Sequence, residues 1–263
     1  MGFLGYSFIY YKCAVKGEYN MTTAQSTLLL LNKKYSGKWD DMFRAIQNKD
    51  YPKDNEEDIT QYHKFVCLTD PDYPTKLRQS FKPPFVLFYE GDLSLLNKDN
   101  IMCICGCDKG DNNLAKLITD LSNSHIVING SDSSIEAEAL GLVMKNNQPL
   151  ILVLNEAIDE SDLDDCVFQY AVHHGLVITE YGYTSPDIDE TQLAKTRIIG
   201  FLSDSMLVTS SKKNNTRLCL LIDEALSAGK DLFVLPEKPF NNSLNNELLQ
   251  NGAILVNSRQ DIF

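Results

Sequence analysis

The sequence has little positive charge and lacks the motifs that mark common nucleotide-binding and hydrolytic enzymes. Its 263 residues carry 24 lysines and arginines against 36 aspartates and glutamates, a formal net charge of −12. This balance argues against a dedicated duplex-DNA binder, so any nucleic-acid role must rest on a local basic groove. No Walker loop, Gly-x-Gly-x-x-Gly fingerprint or Gly-x-Ser-x-Gly elbow is present, and we therefore predict neither a cofactor nor a catalytic residue.

Long apolar runs and paired cysteine clusters are also missing. Without a run long enough to cross a membrane, the sequence predicts a cytoplasmic protein with no membrane partner. The 7 cysteines are an odd number, and several lie in apolar runs, which is typical of reduced thiols in a core. Cys103, Cys105 and Cys107 alternate along one segment, but no second Cys/His cluster completes a metal site, and none is predicted.

The first sixty residues differ in character from the rest of the chain. Residues 1–20 are rich in aromatics and lack a basic signal-peptide region. Codons for Lys16-Gly17-Glu18 can spell a purine-rich ribosome-binding site just before Met21, so we interpret Met21 as the start and residues 1–20 as a translated leader. Apolar residues at helical spacing over 22–49, broken at Ser36-Gly37, predict a small helical hairpin. We expect a leader or a disordered start over 1–20, a helical segment and acidic linker over 21–60, and a main domain over 61–263.

From residue 101 onward, short apolar segments alternate with helix-length segments. The strand candidates are 101–105, 125–128, 150–154, 176–180, 205–209, 231–235 and 253–256, and the helix candidates are 111–123, 133–146, 161–174, 189–202, 215–228 and 243–251. This alternation predicts an α/β fold with a doubly wound, mostly parallel sheet and right-handed crossovers. Ligands of such sheets bind beyond the carboxyl ends of the strands, near the switch point of the strand order.

The first two loops after those strands offer glycine-based anion sites. Gly106 lets the backbone approach a ligand, and Lys109 can meet a phosphate, although a tight turn explains this glycine equally well. Gly130 opens the second loop, which either cradles a phosphate or caps the next helix through Ser133, with Glu136 in a capping-box position.

The later loops carry the aromatic and basic candidates. Tyr181 and Tyr183 follow the fourth strand of the main domain, where they either stack on bases or pack at the rim. Lys195 and Arg197 are two residues apart, so on a helix they do not share a face. The segment from Ser210 to Arg217 adds the cations Lys212, Lys213 and Arg217 at the start of a helix, and is either an anion site or a solvated loop.

Several segments of the chain match the motifs of one known protein family, in the same order and with matching spacing between them. They are Asp72–Leu77, Pro83–Phe88 with Gly91, Ile104–Asp108, Asn129–Glu136, Lys195–Ile199, Pro236-Glu237 and Asn246–Ala253. Together they resemble the DprA/Smf family of DNA-processing proteins over about residues 65–257. The resemblance implies an extended Rossmann-like domain and a non-enzymatic homodimer that binds single-stranded DNA. It also implies that the protein helps to load the RecA recombinase in natural transformation and recombination.

The sequence departs from the family pattern at its basic positions. Asp108 and Ser133 stand where the family has arginines, and Lys195 replaces the first arginine of an Arg-Asn-Arg motif, of which Arg197 remains. Each lost cation removes a phosphate contact. Two alternatives therefore remain open: a degenerate paralogue that acts through protein contacts only, and a Rossmann-like nucleotide phosphoribohydrolase.

Overall fold

The computed structural model describes residues 21–52, 63–108, 110–161, 165–238 and 243–262. The leader predicted over 1–20, most of the acidic linker and Lys109 lie outside these residues. The helices are α1 (Thr23–Lys34), α2 (Trp39–Asn48), α3 (Thr75–Arg78), α4 (Asn112–Ser122), α5 (Ser134–Lys145), α6 (Asp165–His174), α7 (Ile188–Leu202), α8 (Thr216–Ser227) and α9 (Asn245–Gln250). The strands are β1 (Lys64–Cys67), β2 (Val86–Gly91), β3 (Ile101–Cys105), β4 (Ile126–Asn129), β5 (Leu150–Val153), β6 (Leu176–Thr179), β7 (Ser205–Val208), β8 (Asp231–Val234) and β9 (Ile254–Leu255).

The strands of the described residues form one nine-stranded sheet in the order β1-β2-β6-β5-β4-β3-β7-β8-β9. In the part of the sheet that runs from β6 through β5, β4, β3, β7 and β8 to β9, all strands are parallel to one another. The strand β2 pairs antiparallel with both β6 and β1. The predicted α/β fold with a mostly parallel, Rossmann-like sheet is confirmed. The helices of the alternating segment begin and end within a few residues of their predicted bounds.

The strand order reverses between β3 and β7, which places the switch point of the sheet there. The chain runs outward from β3 through β4 and β5 to β6, then returns beyond β3 to β7. We call the side at which β3 to β8 end the carboxyl edge, and the opposite side the amino edge. The switch point brings the loops after β3, β4 and β7 together on the carboxyl edge.

Both faces of the sheet are buried, which explains the continuous apolar strands. Every residue of β3, β5, β6 and β7 is buried, as expected where helices cover both faces. Two large apolar clusters result, one on each side of the sheet. The core therefore fixes the strand ends, and with them the loops at the carboxyl edge.

The predicted helical hairpin is confirmed as α1 and α2, and it packs on the sheet. Leu29 and Leu31 of α1 are fully buried in the same apolar cluster as β2, β3 and β5. The amide of Asn32 donates to the carbonyl oxygen of Glu180 at 3.0 Å. At Gly37, where φ is +73°, an added Cβ would lie 2.7 Å from the ring of Tyr181, so only glycine fits this turn.

Sequence reasoning missed β1. The strand is short, begins at an exposed lysine and lies at the edge of the sheet, so it lacks the continuous apolar run of the central strands. No helix in the described part of the chain is long and apolar enough to cross a membrane.

Candidate nucleic-acid interface

The loop after β3 is tightly packed against the loop after β7. A Cβ on Gly106 would lie 2.2 Å from the hydroxyl oxygen of Thr209, so the glycine is required by this neighbour. The amide of Cys107 donates to the carbonyl oxygen of Ser210 at 3.0 Å, and the amide of Asp108 donates to its hydroxyl at 3.1 Å. Gly106 therefore allows the two loops to pack closely, and the amides of Cys107 and Asp108 are already used within the protein.

The loop after β4 caps α5, as one of the two interpretations predicted. Ser133 is the N-cap residue, and its hydroxyl accepts from the amide of Glu136 at 3.4 Å. The capping box is not completed, because the Glu136 carboxylate accepts from the amide of Asp132 at 2.9 Å instead. Ser131 has a positive φ of 61°, which turns the chain so that Gly130 and Asp132 both face α7.

Two cations and two carboxylates meet beside this loop, and we call them the strand-end cluster: Asp132, Glu136, Lys195 and Arg217. The Lys195 ammonium donates to the Gly130 carbonyl oxygen and to Asp132 Oδ1, both at 2.8 Å. Arg217 donates to Asp132 Oδ2 at 3.2 Å and to Glu136 Oε1 at 2.5 Å. The helices α7 and α8 pack side by side and deliver these cations to the carboxyl edge. With equal numbers of each charge, the cluster is formally neutral.

Lys195 and Arg197 contact different partners, in keeping with their spacing. Arg197 reaches Glu180, after β6, at 2.5 Å, whereas Lys195 reaches the loop after β4. The Glu180 side chain is only 4% exposed. Burial raises the pKa of its carboxyl above the ordinary value, and Arg197 opposes that rise. Arg197 therefore compensates a buried carboxylate and makes no contact with the strand-end cluster.

The aromatic candidates after β6 do not form an exposed stacking platform. Tyr181 is buried against Ala157 and Ala194, and burial raises the pKa of its hydroxyl far above the ordinary value. Tyr183 packs edge-on against Phe88, with ring centroids 6.4 Å apart. The rim-packing interpretation therefore holds for Tyr181, and base stacking by that residue is wrong.

Lys212 and Lys213 are the exposed cations of the loop after β7. Their ammonium groups lie 3.0 Å from Asp108 and 2.8 Å from Glu247, respectively. Both pairs are about half exposed, so solvent screens them and each lysine is able to exchange its partner for another anion. The hydrogen bond that Lys212 donates to the Asp108 carboxylate raises the pKa of the lysine above its ordinary value.

The strand-end cluster borders a small cleft of about 210 Å³. Its lining includes Gly130, Asp132, Lys195 and Asn155, from the loops after β4 and β5 and from α7. This volume is below the range of about 300–1,000 Å³ for small-molecule pockets, and suits a phosphate-sized group better than a whole cofactor. A second, larger cavity of about 540 Å³ lies at the amino edge, beside Gly91 and Gly175.

The charged groups of this edge are cations paired with carboxylates. Within the described ranges, no group of three His, Cys, Asp or Glu side chains is placed to hold a metal ion. Glu136, which a phosphoribohydrolase would need at this loop, is buried and engaged by Arg217. The cations Lys195 and Arg217 can bind a phosphate only if their carboxylate partners give way.

Replacing Gly130 with alanine is expected to lower the free energy of unfolding by about 1–3 kcal/mol through overpacking. The new Cβ would lie 1.9 Å from Lys195 Cε, forcing the buried lysine away from Asp132. Urea denaturation measures the loss. Gly141→Ala in α5 is the matched control, because its Cβ meets nothing within 4 Å. The control should stabilise by about 0.5–1 kcal/mol. Wild-type stability of Gly130→Ala would contradict the packing described for Lys195.

Sequence reasoning located the cations of this edge but missed their carboxylate partners. Asp132 lies in a loop whose sequence predicts either a phosphate cradle or a helix cap, and Glu180 ends a predicted strand. The one available signal was the presence of an acid inside a glycine- and serine-rich loop, where it opposes anion binding.

Comparisons with known proteins agree on one family. The sequence model described as DNA recombination-mediator protein A matches residues 64–263. The DNA processing protein DprA of Streptococcus pneumoniae is 26% identical over 211 residues, covering 77% of this chain and 74% of that protein. Protein Smf of Synechocystis is 27% identical over 221 residues, which cover 79% of this chain and 55% of that protein.

Solved structures show the same fold. The crystal structure of DprA from Streptococcus pneumoniae superposes with a TM-score of 0.73 at 22% identity, covering 91% of this chain and 92% of that one. DNA processing protein A from Helicobacter pylori, described for its single-stranded DNA binding mode, superposes with a TM-score of 0.65 at 22% identity, covering 76% and 94%. On the evidence of the matched residues 64–263, the chain belongs to the DNA recombination-mediator protein A family.

Proposed function

We propose that this protein binds single-stranded DNA across the carboxyl edge of its sheet. The observation that carries the proposal is the convergence there of Lys195, Lys212, Lys213 and Arg217, which come from α7, α8 and the loop before α8. Cations from separate segments that meet at a switch point are a typical arrangement for binding phosphates. Gly106 and Gly130 contribute by allowing the loops to pack closely, and Arg197 contributes by holding Glu180 in place.

A single strand suits this edge better than a duplex. The chain carries a formal charge of −12, so a long duplex would be repelled by most of its surface. A few phosphates of a flexible strand need only a short basic path. The relative from Helicobacter pylori is described by its single-stranded DNA binding mode, which supports the same ligand for this chain.

We further propose that the protein acts as a non-enzymatic recombination mediator in the cytoplasm. By family resemblance it would form a homodimer and present the bound strand to RecA during natural transformation. Light scattering after size-exclusion chromatography tests the dimer. Strand-exchange assays with RecA, with and without this protein, test the mediator role.

Replacing Lys212 and Lys213 together with alanine is expected to weaken binding to labelled oligo-dT about tenfold at low salt. The plot of log affinity against log salt should become shallower by about 1.4, since each single-strand phosphate contact contributes about 0.7. Both lysines are exposed, and their loss also leaves Asp108 without its partner to repel the strand. Fluorescence anisotropy at several salt concentrations measures both quantities.

The control removes the same charge at the amino edge. Lys98 and Lys145 are both exposed, the first before β3 and the second at the end of α5. The double variant Lys98→Ala with Lys145→Ala should bind oligo-dT within about twofold of wild type, as expected for a small change in net charge alone. Equal losses in both double variants would show that only net charge matters, and that the carboxyl edge is not the site.

A second candidate is a paralogue that acts through protein contacts without DNA. The observation that favours it is that each described cation of the predicted set pairs with a carboxylate. Under this alternative, oligo-dT would not bind even at low salt, while dimerisation or RecA binding would persist. The anisotropy titration therefore separates the two candidates.

A further inference from the structure

Asp132 occupies the position in which the cluster would hold an anion. One of its carboxylate oxygens accepts from the Lys195 ammonium at 2.8 Å. The other accepts from Arg217 at 3.2 Å and from the Gln192 amide at 3.4 Å. Donors from two helices thus converge on one carboxylate, much as they would converge on a phosphate.

The two carboxylates of the cluster, Asp132 and Glu136, differ in their exposure and in their other hydrogen bonds. Glu136 is 1% exposed, and its second oxygen accepts from the Asp132 amide, so it holds the loop together. Asp132 is 17% exposed and lines the open cleft. Its carboxylate contacts side chains of α7 and α8 rather than the backbone of its own loop. Asp132 is therefore the member that can move aside without unmaking the loop.

The charge balance of the strand-end cluster explains why displacement of the Asp132 carboxylate matters for DNA binding. Lys195 and Arg217 bring two positive charges, which Asp132 and Glu136 cancel. A phosphate arriving at a neutral cluster gains little, whereas a cluster without the Asp132 charge is a net cation. Lys195 is also only 3% exposed while Asp132 engages it, so it becomes available to a ligand only when that carboxylate leaves.

We propose that Asp132 is an internal competitor for phosphate, which sets the affinity of the strand-end cluster for DNA. The inference rests on the proposed function for its biological ligand, but its chemistry concerns any phosphate-bearing anion. A DNA phosphate enters by displacing the Asp132 carboxylate from Lys195 and Arg217, so part of the binding free energy is spent on that displacement.

The test compares wild type with Asp132→Asn. The asparagine keeps the shape and one acceptor oxygen for Lys195, while removing the competing charge. Binding of labelled oligo-dT should tighten about tenfold at low salt, and the salt slope should steepen by about 0.7, as one added single-strand phosphate contact requires. Asp132→Ser serves as a second variant should the asparagine perturb folding, since serine is common in such loops.

The matched control is Asp50→Asn. It changes the net charge by the same amount at an exposed residue whose ion pair is with Lys34 of α1, which is not a member of the strand-end cluster. It should leave oligo-dT affinity within about twofold of wild type, as expected for a change in net charge alone. Equal gains in Asp50→Asn and Asp132→Asn would overturn the inference.

Tripolyphosphate provides a readout that does not depend on DNA. It should raise the melting temperature of Asp132→Asn more than that of wild type. If neither protein binds oligo-dT but tripolyphosphate stabilises Asp132→Asn selectively, the inference stands and the proposed function falls. If wild type binds oligo-dT but neither Asp132 variant binds either probe more tightly, the inference falls and the function stands. If neither probe binds any variant, both fall.

Discussion

Replacing Arg217 with alanine is expected to lower the free energy of unfolding by about 3–5 kcal/mol, the usual cost of breaking a buried ion pair. The change leaves the Glu136 carboxylate, which is 1% exposed, without the guanidinium with which it forms an ion pair. It also removes one of the two cations that hold Asp132. Guanidinium or urea denaturation at neutral pH measures the loss.

The charge of Glu136 should account for most of that effect. In the double variant Arg217→Ala with Glu136→Gln, the buried group is neutral and still accepts from the Asp132 amide through its side-chain oxygen. The double variant should therefore recover much of the stability that the single variant loses. If Arg217→Ala lowered the free energy of unfolding by less than about 1 kcal/mol, the Arg217–Glu136 pair would contribute no more than an exposed surface ion pair does. That result would contradict the burial described for this pair.

Replacing Arg197 with alanine is expected to cost about 3 kcal/mol at neutral pH for the same physical reason. Here the uncompensated group is Glu180, whose pKa is already raised by burial and held down by Arg197. Removing the guanidinium should raise that pKa further. The variant should consequently become more sensitive to pH than wild type.

The direction of the pH dependence follows from proton linkage. The pKa of Glu180 is higher in the native state than in the unfolded state, so the unfolded state loses its proton first. Stability therefore falls as the pH rises from the ordinary glutamate value through the native pKa, and then levels off. In Arg197→Ala the fall should be deeper and should continue to higher pH.

The control for this prediction is Arg197→Ala with Glu180→Gln, which has no carboxyl to ionise at that position. Its unfolding free energy should vary with pH no more than that of Glu180→Gln alone. A pH profile for Arg197→Ala that parallels wild type would show that Arg197 does not govern the ionisation of Glu180. Oligo-dT binding by the folded double variant would then show whether Arg197 also contacts DNA.

The alternating part of the fold was predictable because each central strand is an apolar run covered on both faces. The residues of β5 and β7, for instance, are all buried, and their sequences show it directly. The antiparallel pairing of β1 with β2 was not predictable in the same way. Lys64–Cys67 is a short edge strand, and its place is decided by register with β2 rather than by its own pattern.

The site was predictable only in part, because ion pairs between distant segments leave no spacing signal. Lys195 and Asp132 are 63 residues apart, and Arg217 and Glu136 are 81 apart. The sequence indicates which segments reach the carboxyl edge, since strand ends share that edge. It does not indicate which acid each cation meets there, and this pairing decides how strongly the edge attracts phosphate.

Hydrogen–deuterium exchange with and without oligo-dT locates the bound strand on the sheet, and so distinguishes binding at the carboxyl edge from binding at the amino edge. We expect slower exchange at the carboxyl edge, in residues 106–108, 130–133 and 210–215, and unchanged exchange at the amino edge around Gly91 and Gly175. Protection at the amino edge, beside the larger cavity, with none at the carboxyl edge would contradict this expectation.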